Sequence, residues 1–153
     1  MAIKVDPNSL GFFITDSARM IRVLFERGIA GAGLGLTAGE ARALLHVETI
    51  NGSRQLEIAN RMGIEPMTVC TFLDRLQALD LIERLPDPND RRAKNVYVTE
   101  KSRPVVAAIR EEIAVLMDQA TEGLSDAERG VLKRAMAIVR TNLLRSTQDD
   151  KSS

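Results

Sequence analysis

Residues 53 to 80 read SRQLEIANRMGIEPMTVCTFLDRLQALD, and their spacing decides the fold. Leu56, Ala59 and Met62 recur at three-residue steps, the period of one helix face, so a short helix is predicted over 53–62. Gly63 stands where a left-handed helix end is expected. Pro66 follows at a first helical position, where a missing N–H is harmless, and Val69, Leu73, Leu76 and Leu79 carry a second stripe on to Asp80. Two short helices joined by a four-residue turn containing glycine make a helix-turn-helix.

Downstream the period changes. Ile82 to Leu85 and Asn95 to Thr99 read as two short strands, and the run Pro86-Asp87-Pro88-Asn89-Asp90-Arg91-Arg92-Ala93-Lys94 between them is too polar to bury. It is predicted to be the loop of a projecting β-hairpin, a wing. Upstream, Thr37 and Glu40 form a capping box that opens a helix carrying Ala41, Leu44, Leu45 and Val47 and ending near Asn51-Gly52. Arg54 stands just before the helix-turn-helix stripe, with Ser53 expected to cap in its place. Gly28, Gly31, Gly33 and Gly35 punctuate a loop before it. A long first helix over 9–27 is predicted from Leu10, Phe13, Ile14, Ala18, Ile21, Leu24 and Phe25.

Beyond the wing, Thr99 is expected to cap a long helix through Val105, Ile109, Ile113, Leu116, Met117 and Ala120, with Gly123 breaking it. Ser125 and Glu128 form another capping box, opening a last helix with Leu132, Ala135, Met136, Val139 and Leu143. The predicted class is mainly α with a small β-hairpin wing, in a single domain over 1–153. A winged helix-turn-helix unit spans 37–99, long dimerisation helices span 8–36 and 100–146, and 147–153 form a flexible tail. Each long helix would leave an apolar stripe uncovered beside a small central unit, and two copies burying those stripes across a two-fold axis resolve this, so a homodimer is expected.

Composition narrows the function. The 153 residues carry 21 basic and 21 acidic side chains and are 44% apolar, which excludes disorder of the whole chain and a general field for polyanions. Residues 53–94 are themselves neutral: Arg54, Arg61, Arg75, Arg84, Arg91, Arg92 and Lys94 balance Glu57, Glu65, Asp74, Asp80, Glu83, Asp87 and Asp90. A nucleic acid would have to be held by where the cations point. The five aromatic residues and absent tryptophan argue against a stacking platform for single strands. The single cysteine, the lack of a basic-then-apolar leader over Met1 to Leu10 and the lack of a long apolar run suggest a cytoplasmic, reduced chain with no membrane span.

Taken in order, Leu36-Thr37-Ala38-Gly39-Glu40-Ala41, Gln55-Leu56-Glu57-Ile58-Ala59, Gly63-Ile64-Glu65-Pro66-Met67-Thr68-Val69, Leu73-Asp74-Arg75-Leu76, Asp87-Pro88-Asn89-Asp90-Arg91-Arg92 and Val98-Thr99-Glu100-Lys101 resemble the MarR family of bacterial transcription regulators. The resemblance is close over residues 36 to 103 and extends to the flanking helices only in pattern. It implies a dimer whose two recognition helices enter successive major grooves of duplex DNA, with wings in the adjoining minor grooves. It also implies release by small aromatic compounds or by cysteine oxidation in many members. This chain departs from the family pattern at Asp80 and Ser102, where glycine is habitual, at Arg54, where a capping Ser or Thr is common, and at Thr71, where many members carry arginine.

The candidate site follows. Met67, Thr68, Cys70, Thr71 and Arg75 lie away from the core stripe of the recognition helix, where threonine hydroxyls can bond bases or phosphates and apolar groups can meet a thymine methyl. In the wing, Arg91, Arg92 and Lys94 suit a narrow minor groove and its phosphates, and by resemblance Asp90 orients Arg92. Against this stands a solvated turn. Cys70 could serve as a redox sensor or simply fill space, and two copies about 34 Å apart in a dimer lie far beyond the roughly 7 Å reach of a disulfide. The resemblance also suggests an effector pocket, with Phe12, Phe13, Ser17 and His46 as lining residues. No metal or other cofactor is expected, since His46 has no second ligand at suitable spacing. Nor is an enzyme: the Gly31, Gly33, Gly35 run lacks the strand and the Lys-Ser/Thr of a phosphate loop, and a Cys70–His46 pair would lack an orienting third group. The reading from another class is a winged-helix dimer that binds a protein and is silent toward DNA.

Overall fold

In the computed structural model, residues 6–149 are described. The elements are α1 (Leu10–Gly31), α2 (Ala38–Thr49), β1 (Ser53–Arg54), α3 (Gln55–Met62), α4 (Pro66–Ala78), β2 (Ile82–Asp87), β3 (Asp90–Val98), α5 (Ser102–Ala120) and α6 (Asp126–Asp149). The protein is mainly helical with one small antiparallel sheet of order β1-β3-β2. One compact unit ends at Leu116 and a second begins at Met117, a division that falls within α5. α6 runs to Asp149, so 147–149, placed in the tail from sequence, are helical, and 150–153 lie outside the described residues.

Local chemistry sets the helix ends. Ser9 Oγ accepts from the Phe12 N–H at the start of α1. Thr37 Oγ1 accepts from the Glu40 N–H at 3.2 Å while the Glu40 carboxylate accepts from the Thr37 N–H at 2.9 Å, the reciprocal box that opens α2. Ser125 and Glu128 repeat it at the start of α6. Gly63 closes α3 at φ 67°. Two expected caps are absent. Ser53 is paired in β1 opposite Val96, leaving Arg54 at the α3 N-cap without a side-chain bond. Thr99 instead donates from Oγ1 to the Asp80 carbonyl at 2.6 Å, tying the end of the wing to the turn after α4, and α5 begins at Ser102. The buried Ser102 hydroxyl donates to the Thr99 carbonyl.

Within the first unit one core joins the helices α1 to α5 and the strands β2 and β3. Val69, Leu73 and Leu76 of α4 are fully buried with Ala41, Ala43, Leu44 and Val47 of α2, Ile58 and Ala59 of α3, Ile82 and Val96 of the sheet, and Ile109 of α5. Phe25 and Ile29 of α1 close the far side. Gly39 matters here: a Cβ on it would meet the tip of the Phe72 ring at 2.5 Å, so the ring of α4 rests against α2 in this position only because Gly39 lacks a side chain. The long helices are different. α1 exposes Leu10, Phe13, Met20, Val23 and Leu24, and α6 has no buried residue among its described side chains while carrying Val131, Leu132, Met136, Ile138, Leu143 and Leu144 at the surface.

The wing is longer than its sequence suggests. β2 and β3 pair from Ile82 opposite Val98 to Asp87 opposite Asp90, leaving only Pro88 and Asn89 as the turn. Arg91, Arg92 and Lys94 therefore lie on a strand and not in a nine-residue loop. Pro86 is tolerated because β2 is an edge strand.

Candidate nucleic-acid interface

α4 turns its apolar stripe inward and leaves Met67, Thr68, Thr71, Asp74 and Arg75 exposed, with Cys70 half-buried as a free thiol. Met67 is 83% exposed, an unusual fate for a large apolar side chain. Pro66 occupies the first turn without a side-chain cap before it. The Thr71 hydroxyl donates to the Met67 carbonyl at 3.1 Å, so its donor is committed within the helix.

Strand alternation separates the wing cations: Arg92 and Lys94 share one face of β3, and Arg91 takes the other. The Asp90 carboxylate accepts from the backbone N–H of Arg92 at 3.0 Å, not from its guanidinium. The expectation that Asp90 orients the arginine side chain is corrected accordingly: Asp90 fixes the backbone of the turn, and its other oxygen lies 4.0 Å from Arg54. Asp87 is the turn's second anchor. The Asn89 N–H donates to its carboxylate, and Arg54 Nε donates to the other oxygen at 3.1 Å. The Asn89 bond above all, with Arg54 behind it, holds the Asp87 carboxyl below its ordinary value.

Sequence reasoning passed over Arg84. Its guanidinium donates to Gln77 Oε1 at 2.6 Å, to Gln55 Oε1 at 3.3 Å and to the Asp74 carboxylate, binding β2 to both helices of the helix-turn-helix. The signal was present: Arg84 lies two residues from the buried Ile82 and so on the inward face of β2, while Leu85 points out. An inward arginine needs partners.

These pairs sort a neutral unit by position. Asp74 is taken up by Arg84, Asp87 and Asp90 by Arg54, and Asp80 by Lys101 at 4.0 Å. Among the described residues, Arg75, Arg91, Arg92 and Lys94 have no carboxylate within 4.0 Å and no side-chain hydrogen bond, and all four are exposed. The three aspartates of α4 and the wing are thus paired with Arg84 and Arg54, Glu83 on β2 stands exposed, and these four cations remain outward without carboxylate partners.

The residues suggested for an effector pocket lie on two helices, α1 and α2. Phe12, Phe13 and Ser17 are exposed on α1. His46 is half-buried on α2, where burial first, then Arg61 and Arg42, lower its pKa from 6.5. A cleft of about 370 Å³ is lined by Glu48, Asn51, Val98, Ser102, Arg103, Val106, Ala107 and Arg110, none of them among those four.

Known proteins share this fold. Residues 36–94 match the model of the MarR family. A crystal structure of MarR superposes with a TM-score of 0.82 at 22% identity, covering 96% of this chain and 99% of that one. A MarR transcriptional regulator from Methanosarcina mazei Go1 gives 0.80 at 19% identity, covering 89% and 96%. The transcriptional repressor CouR, solved bound to a 23-mer DNA duplex, gives 0.72 at 25% identity, covering 90% and 99%. Residues 36–94, the winged helix-turn-helix, thus match the MarR family of transcription regulators, within a fold that this chain shares with MarR structures over nearly its whole length.

Proposed function

We propose that the protein is a homodimeric transcription repressor that binds a pseudo-palindromic duplex, acting in the cytoplasm and without catalytic chemistry. The observation that carries this reading is the sorting of charge. Arg91, Arg92, Lys94 and Arg75 stand exposed without carboxylate partners, whereas Asp74, Asp87 and Asp90 are occupied by Arg84 and Arg54. In the proposed complex α4 enters the major groove, and Arg92 and its neighbours on the wing follow the minor groove and its phosphates. The likeness to CouR, a transcriptional repressor solved bound to a DNA duplex, supports DNA as the partner.

The exposed apolar residues of α1 and α6 support pairing with a second copy, since large uncovered patches on soluble proteins mark interaction surfaces. Two copies would set two α4 helices about one DNA turn apart, or about 34 Å. Release by a small aromatic compound belongs to the same proposal, acting by favouring a dimer geometry whose helix spacing no longer fits the grooves.

Selection of bound duplexes from a random pool, followed by salt titration of the enriched sequence, tests the reading. The expected result is an enriched inverted repeat whose affinity falls steeply with salt, by about 0.9 logarithmic units per phosphate neutralised. A pool that stays unenriched, with no retention on heparin, overturns it in favour of a winged helix that binds protein. Light scattering that reports a single chain overturns the dimer.

A further inference from the structure

The outward face of α4 is poor in the groups that read bases by hydrogen bonds. Met67, Thr71, Asp74 and Ala78 follow one another at three- and four-residue steps opposite the buried Val69, Leu73 and Leu76. Asp74 is bonded to Arg84, and the Thr71 donor is spent on the Met67 carbonyl. What the centre of this face has to offer is the Met67 side chain, 83% exposed, and the Thr71 methyl one turn on. In the major groove only one base edge presents an apolar group, the 5-methyl of thymine.

We propose that α4 reads thymine through its 5-methyl groups, with Met67 and Thr71 as the residues that set the preference. This rests on the DNA-binding reading above and names what that site recognises. Phosphate contacts from the unpaired Arg75, Arg91, Arg92 and Lys94 would hold α4 in the groove, and contact between the two apolar surfaces would choose the sequence. Thr68, exposed beside them with a free hydroxyl, is left to bond a phosphate or a base at the edge of the face.

The test uses the full chain and two random duplex pools, one synthesised with thymine and the other with deoxyuridine, which pairs identically and lacks only the methyl. Sequences enriched from the thymine pool are remade with deoxyuridine, and both versions are titrated with the wild-type protein and with Met67→Ser. The expected result is weaker binding of the deoxyuridine version, by about fourfold for each methyl in contact, and little difference between the two versions for Met67→Ser. Because Met67 is exposed, the variant should keep the wild-type circular dichroism spectrum. Equal wild-type affinity for the two versions overturns the inference while leaving DNA binding intact. Undiminished discrimination by Met67→Ser overturns the assignment to that residue. If neither pool is retained, DNA binding itself fails and the inference falls with it.

Discussion

The guanidinium of Arg84 on β2 is bonded to the carboxylate of Asp74 on α4, so the first strand of the wing and the recognition helix are held as one piece. The arginine side chain is 16% exposed and has two further partners in Gln77 and Gln55. Arg84→Gln should lower the free energy of unfolding by about 1–2 kcal/mol, below the full value of a buried charged bond because Asp74 is itself open to water. A denaturant titration measures it. Asp74→Asn should cost less, and the double variant should fall short of the sum; strict additivity would show that the bond contributes nothing.

Asp80 holds φ at 59°, in the left-handed region, at the turn between α4 and β2. Glycine enters that region without a Cβ penalty, so Asp80→Gly should raise stability by about 1 kcal/mol, and Asp80→Ala should lower it. The Lys101 pair, at 4.0 Å between exposed side chains, contributes little to this comparison. Thermal midpoints in the order glycine, aspartate, alanine are expected; a glycine variant less stable than wild type would contradict the strain.

His46 is held neutral by burial and by Arg61 and Arg42, its pKa below 6.5 in the folded state. The unfolded chain therefore binds this proton first as pH falls. The associated stability is complete above 6.5 and is lost as pH drops from there through the folded-state value. His46→Gln should flatten the dependence of the thermal midpoint on pH in that window. Identical slopes for variant and wild type would exclude His46 as the source.

Arg92 has no carboxylate partner and shares its strand face with Lys94. Arg92→Ala should weaken binding to the selected duplex and reduce the slope of affinity against salt by about one ion. An unchanged slope would place that side chain off the phosphates and out of the groove.

What the sequence disclosed was local. The Thr37–Glu40 and Ser125–Glu128 boxes, Pro66 at the head of α4 and the left-handed Gly63 all depend on residues within a few positions of one another. The length of the wing did not emerge, because both strands leave the core after Leu85 and a hairpin solvated on both faces needs no apolar alternation. β1 was read as helix because its two residues are ordered only by Val96 and Asn95, more than forty positions away. The same distance hid the site's electrostatics. Composition shows that charges cancel over 53–94, but only the fold shows that Arg54 and Arg84 take Asp74, Asp87 and Asp90 and leave Arg75, Arg91, Arg92 and Lys94 without carboxylate partners.

Arg54 and Arg84 thus act as shields. Between them two cations mask Asp74, Asp87 and Asp90, so the loss of either one both removes a positive charge and unveils negative charge beside the groove-facing surface. A substitution at these arginines would change the local potential by more than its formal charge, and a variant chosen only to stiffen or loosen the wing would also alter how strongly the surface repels a polyanion.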